Sequence, residues 1–379
     1  MTVRRRVVST AAFALALHAS VVAIKTFTSP ARTILAIFGV GDQMPPRPAF
    51  VDREGYPIER GGTGTDGQQY LYVAHDPLVR QREMARALDE PRYRYGRILL
   101  PALAAATCAG SSTCLPRAIV GYNLIFAAGI GGLLALLVAD RQAHFLWAFL
   151  LSASGALIVA TDIANVEVCA QCFALAGVAL AARGRTVAAA VAFACAALAR
   201  ESYALVPLGF AAAAALERRP ARAMAFLTAC APIALWMLYL RSALAGPMGV
   251  SSNLGLPFAG IAEWIVEFVR HPRVDAGSFN RFSVGIPLVA MMLRHAASLR
   301  RDRSGLAVAA ALVSMLGVCA GASVWRSPGG FARSLDFVYP GIVLPALERR
   351  DRLTAWLSAS SLVTTISTMG DHIVRGAAL

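Results

Sequence analysis

The chain has 379 residues, of which 57% are hydrophobic and only 15% charged. Its mean hydropathy is +0.58, whereas soluble domains carry about 25% charged residues. This composition argues against a soluble protein and for a membrane one. The net charge of +14 is spread as short arginine clusters between apolar runs, with no basic patch interleaved with exposed aromatics, which argues against a nucleic-acid partner.

In chain order, Arg4-Arg5-Arg6 precedes an apolar stretch from Val7 to Ala23, closed by Lys25, the only lysine. A cleavable signal peptide is the rival reading, but the stretch runs longer than a usual signal core, so a retained first span is expected. The apolar runs place spans at 7–27, 117–139, 144–161, 164–182, 186–199, 202–216, 222–240, 282–298, 304–324, 334–347 and 353–369. The expected fold class is all-α: one integral membrane domain over residues 1–379, a polytopic transmembrane helical bundle of about eleven spans.

With the N-terminus inside, the inside loops hold Arg4 to Arg6, Arg141, Arg183 and Arg185, Arg218, Arg219 and Arg222, Arg300, Arg301 and Arg303, and Arg349, Arg350 and Arg352. This arrangement follows the positive-inside rule, as expected of an inner-membrane protein. It also requires that Ile98–Gly110, apolar but short and containing Pro101, turn back as a re-entrant or interfacial segment. Residues 41–97 then form one large external, periplasmic loop, and 242–281 a second. Within the second, Phe258, Ile261, Trp264, Ile265 and Phe268 share a helical face, which suits either a helix lying in the interface or an ordinary packing helix.

Charges expected on the outer side are Asp66, Asp76, Arg92, Arg94, Arg97, Asp162, Glu167, Arg200, Glu201, Arg326, Arg333 and Asp336. Several fall at span ends, where a charge facing lipid costs roughly 2.5–3.5 kcal/mol, so a wet cavity is the expected environment. Acids and arginines converging there would suit a phosphate-bearing substrate, because guanidinium forks hold phosphate oxygens in pairs and a carboxylate can serve as a base. The densest patch is Gly64-Thr65-Asp66-Gly67-Gln68-Gln69-Tyr70-Leu71-Tyr72-Val73-Ala74-His75-Asp76-Pro77. Its glycines permit a sharp turn that projects Asp66, while Tyr70 and Tyr72 can offer ring faces to a sugar or anchor at the interface.

Cys108 and Cys114 lie near the expected outer face, where a bridge is possible. Cys169 and Cys172 sit on an apolar span without further ligands, so neither a metal site nor a cofactor is expected.

The Gly64–Pro77 patch resembles the Gly-x-Asp-Gly-Gln-x-Tyr-Tyr-x-x-Ala-x-Asp-Pro pattern of bacterial membrane proteins linked to cell-surface glycopolymer formation. These resemble the GT-C superfamily of polytopic glycosyltransferases. Tyr93 to Pro101 and Ala199-Arg200-Glu201-Ser202 are similar to later stretches of the same group, although its double tyrosine is broken here by Leu71. The resemblance implies a GT-C-like bundle and hexosyl or pentosyl transfer from a polyprenyl-phosphate-linked donor to a glycan or lipid acceptor. It implies Asp66 as the catalytic carboxylate, without a metal ion. Arg94, Arg97 and Arg200 are implied as partners of the lipid phosphate, with Asp76, Tyr70, Tyr72, Asp162, Glu167 and Glu201 completing the substrate site. The competing readings are a transporter or flippase of a lipid-linked glycan, and a non-catalytic assembly component.

Overall fold

The computed structural model describes residues 2–43, 46–245, 253–270, 276–325 and 328–376. The fold is 75% helix and 2% strand. Among the described residues, three helical stretches, Val3–Thr28, Leu115–Asp140 and Pro220–Ala243, are long and apolar enough to cross a membrane. The other apolar helices run 10–17 residues and include Glu167–Ala182, Thr186–Ala199, Gly305–Val318 and Val338–Glu348. The expected spans are corrected in several places. The run at 144–161 is two helices, Leu146–Ser152 and Gly155–Asp162. That at 304–324 ends its helix at Val318, and that at 334–347 begins its helix only at Val338.

Two of these breaks have an identifiable cause. Ser154 takes extended backbone angles between the first pair of helices, which strips the Ser152 carbonyl of its intrahelical donor. The buried His18 Nε2 stands 3.3 Å from that carbonyl. Cys319 and Gly321 instead hydrogen-bond to the segment Asn253–Phe258, with Gly255 N–H to Cys319 O at 2.8 Å and Gly321 N–H to Asn253 O at 2.9 Å. That stitch ends the helix and pulls a distant loop over its end.

Helix packing relies on small residues. A Cβ on Gly131 would lie 2.6 Å from Thr10 O and 2.9 Å from Ala14 Cβ, so Val3–Thr28 and Leu115–Asp140 touch backbone to backbone. Gly209 meets Ala309 in the same way. The segment Ile98–Gly110 forms a helix, Leu99–Cys108, of only 10 residues, about 15 Å long at 1.5 Å per residue. That is half the thickness of a hydrocarbon core. Ala109 and Gly110 then adopt left-handed backbone angles, and a disulfide joins Cys108 to Cys114, returning the chain directly into Leu115–Asp140.

The amphipathic helix of the second loop runs Ala259–Arg270. Ile261 and Trp264 are buried, with Trp264 stacked 6.1 Å from Trp325. This part of the apolar face therefore packs inside the protein. The Phe268 side chain and Arg326 lie outside the described residues.

Candidate active site

The long loop folds into short helices that carry the motif. Asp66 is the first residue of the helix Asp66–His75, where the helix dipole favours a negative charge. The flanking motif residues hold this helix end in place. Thr65 Oγ1 donates to Phe38 O at 2.7 Å, Gln68 Oε1 accepts from Gly41 N–H at 3.1 Å, and Gln68 Nε2 donates to Thr63 O at 3.0 Å. Gly67 is required by contact: a Cβ there would lie 2.1 Å from Ile163 O. That close approach brings Asp66 beside the turn containing Asn165.

The Asp66 carboxylate is held from three directions. Oδ1 accepts from Arg94 Nη1 at 2.9 Å, while Oδ2 accepts from Arg333 Nη1 at 2.9 Å and from Asn165 Nδ2 at 3.2 Å. Burial by itself would raise this carboxyl, but Arg94 and Arg333, with Arg97 behind them, hold it well below the usual carboxylate range. Arg94 also forms a bidentate pair with Asp89, at 2.8 and 2.6 Å.

Arg97 lies deeper. It forms a two-pronged pair with Glu201, both contacts at 2.9 Å, donates to Tyr70 Oη at 2.8 Å, and also donates to Tyr93 Oη. Arg200 breaks the helix Thr186–Ala199 in extended conformation. It reaches Glu167 Oε1 at 3.3 Å and donates to Arg333 O at 2.6 Å. Glu167, like Asp66, opens a helix. The segment carrying Arg94 and Arg97 is anchored to Ala231–Ala243 by Trp236, whose Nε1 donates to Tyr95 O at 2.8 Å, and by Arg92, which donates to Leu244 O at 2.7 Å.

These groups surround one cavity of about 370 Å³, lined by Asp66, Asp89, Tyr93, Arg94, Arg97, Glu167, Arg200, Asn253, Ser323, Val324, Gly330, Arg333 and Ser334. A second cavity of about 400 Å³ shares Tyr93, Arg97, Arg200, Asn253, Val324 and Ser334 with it. Its remaining wall is mainly apolar, including Leu205, Met237, Leu254, Leu316 and Leu335.

Of the expected site residues, Asp66, Arg94, Arg97, Glu167 and Arg200 line the charged cavity, and Glu201 lines the adjoining one. Four others do not reach either. Tyr70 is fully buried behind Arg97, so its hydroxyl is used and its ring is not offered to a ligand. Tyr72 packs edge-on against Phe50 at 5.8 Å. Asp76 closes the far end of its helix, accepting from the amides of Arg80 and Gln81 at 3.0 and 2.5 Å. Asp162 faces Lys25 at 3.5 Å. Tyr70 and Asp76 are thus held by protein groups and Tyr72 by packing, whereas Asp162 meets Lys25 through Oδ2 and its buried Oδ1 has no hydrogen-bond partner among the described residues.

Three contributors were not in the expected site: Asp89, Asn165 and Arg333. Arg333 appeared only as one of the outer charges, and nothing in its local sequence links it to Asp66, 267 positions away. Among the described residues, no group of three or more His, Cys, Asp or Glu side chains is arranged to hold a metal ion. Comparison with protein-family models, with curated proteins and with solved structures gives no match for this chain.

Proposed function

We propose that this protein is a polytopic inner-membrane glycosyltransferase of GT-C type, with a cytoplasmic N-terminus and its Asp66 cavity on the periplasmic side. It would transfer a hexosyl or pentosyl group from a polyprenyl-phosphate donor to a cell-envelope glycan or lipid. The observation that carries this reading is the junction of two cavities, one lined by four arginines and the other by apolar side chains, which share a wall at Tyr93, Arg97 and Arg200. Such a junction suits an amphiphile with an anionic head and a hydrocarbon tail.

In the transfer step, the acceptor hydroxyl oxygen bonds to the anomeric carbon of the donor sugar and its proton passes to Asp66. The bond from that carbon to the phosphate oxygen breaks, and its electron pair leaves with the polyprenyl phosphate. The arginines stabilise the departing charge. Asp66 is ionised, as a base must be.

The test uses purified protein, a set of undecaprenyl-phosphate-linked hexoses and pentoses, and envelope extract as acceptor, following release of undecaprenyl phosphate. Asp66→Asn is expected to abolish release and, in cells, glycopolymer formation, with protein level and membrane insertion intact. Full activity of that variant would remove Asp66 from the chemistry. Movement of the donor across proteoliposomes without sugar transfer would establish the flippase reading instead.

A further inference from the structure

The four arginines lining the charged cavity are already matched. Among the described residues, Arg94 pairs with Asp66 and Asp89, Arg97 with Glu201, Arg200 with Glu167, and Arg333 with Asp66. Among the described residues, four guanidinium groups thus face four paired carboxylates, and the charges of these pairs balance. Arginines balanced in this way have little attraction for an anion, so an anionic ligand must take the place of a resident one. The carboxylates are not equivalent in this respect. Asp89 is gripped in bidentate fashion by one arginine, as is Glu201. Asp66 is the carboxylate shared by two arginines, one on each oxygen at 2.9 Å. Its release frees two aligned N–H donors at once, and two oxygens of a phosphate have nearly the spacing of the two oxygens of a carboxylate.

We propose that Asp66 is the resident anion of a phosphate site formed by Arg94 and Arg333, and that the phosphate of the ligand binds by displacing it. This rests on the lipid-phosphate reading only for the source of the phosphate. Arg333 is thereby assigned to ligand binding, delivered by a helix far along the chain from the motif. The exchange also orders the reaction. While Asp66 is held by both arginines and Asn165, its oxygens are occupied and its basicity is low. Once phosphate takes the arginines, the carboxylate is free and sits beside a like charge, which raises its basicity. The base becomes available only when the donor is seated, which protects an activated site from idle water.

Displacement of an internal competitor lowers apparent affinity by the fraction of sites that are open. Removing the competitor therefore tightens phosphate binding while abolishing chemistry. The experiment measures binding of undecaprenyl phosphate and, separately, of inorganic phosphate to the full chain in nanodiscs. Asp66→Asn is expected to bind undecaprenyl phosphate about tenfold or more tighter than wild type. Arg333→Gln should weaken binding, and Asp66→Asn combined with Arg333→Gln should lose the gain. Asn165→Leu, which keeps the carboxylate and removes its third tether together with the Asn165 Oδ1 acceptor of the Val166 N–H, should give a smaller gain in the same direction and serves if Asp66→Asn folds poorly.

Unchanged or weaker undecaprenyl phosphate binding in both Asp66→Asn and Asn165→Leu would overturn the exchange and leave the lipid reading standing. Tighter binding of inorganic phosphate alone, with no undecaprenyl phosphate bound by any variant, would keep the anion site and remove the lipid as its source.

Discussion

Ion pairs occur in two settings in this molecule. In the candidate site, the side chains of Arg94, Arg97 and Arg200 are 10%, 4% and 7% exposed. Among the arginine clusters between the apolar runs, the pair Arg183 with Asp140 is 38% and 42% exposed. The residue types are the same and the consequences differ. An exposed pair is solvated with or without its partner, so the pair contributes little to stability. A buried arginine without its carboxylate would be a charge stranded in a poor solvent, so each partner in the site is tightly specified.

The largest effect expected from this contrast is at Arg97. Glu201→Gln removes the two-pronged partner of a buried guanidinium and should cost about 3–5 kcal/mol in thermal or denaturant unfolding. The double variant Arg97→Gln with Glu201→Gln should recover part of that loss, since neither charge is then stranded. A loss of less than about 1 kcal/mol for the single change would erase the distinction between the two settings.

Gly67→Ala ranks next. The new methyl would collide with Ile163 O, so the helix carrying Asp66 must retreat, at about 1–3 kcal/mol. Weakened undecaprenyl phosphate binding should accompany the loss of stability, and an unaltered variant would show that the turn is not rigidly placed.

A pH effect follows from Asp66 itself. Its carboxyl is held below the ordinary value of about 3.9, so its stabilising contribution is full above that pH and fades as pH falls toward the lower folded-state value. The stability difference between wild type and Asp66→Asn should therefore shrink on acidification from about pH 5 to 3, read by thermal melts in buffered detergent. A difference that stays flat across this window would mean that the carboxyl is not held down.

The smallest effect belongs to the exposed cluster. Arg183→Gln should change stability by under about 1 kcal/mol. A larger loss would mean that these pairs carry structural weight beyond their charge.

Much of the helical architecture was legible because hydrophobic runs report burial directly. The boundaries at Thr186–Ala199 and the shortness of the segment after Ile98 could be read from residue types alone. The break at Ser154 could not, because its lost hydrogen bond is compensated by His18 from another helix. In the motif, Asp66 and Asp76 looked alike as acids beside turns. One end of the helix meets arginines from elsewhere in the chain, and the other meets the amides of its own following turn.

The amino-acid sequence by itself determined the mostly helical, apolar character of the protein, the place of its arginine clusters and the prominence of Asp66, because hydropathy, net charge and turn chemistry are local quantities. Only the tertiary structure decided which arginines face Asp66, that Tyr72 packs, Asp76 caps its helix and Asp162 pairs with Lys25, and that Arg333 completes the site. Those outcomes depend on contacts between segments as far apart as residues 66 and 333, and electrostatic partnership is set by distance in space and by the exclusion of water, neither of which is written in any local stretch of chain.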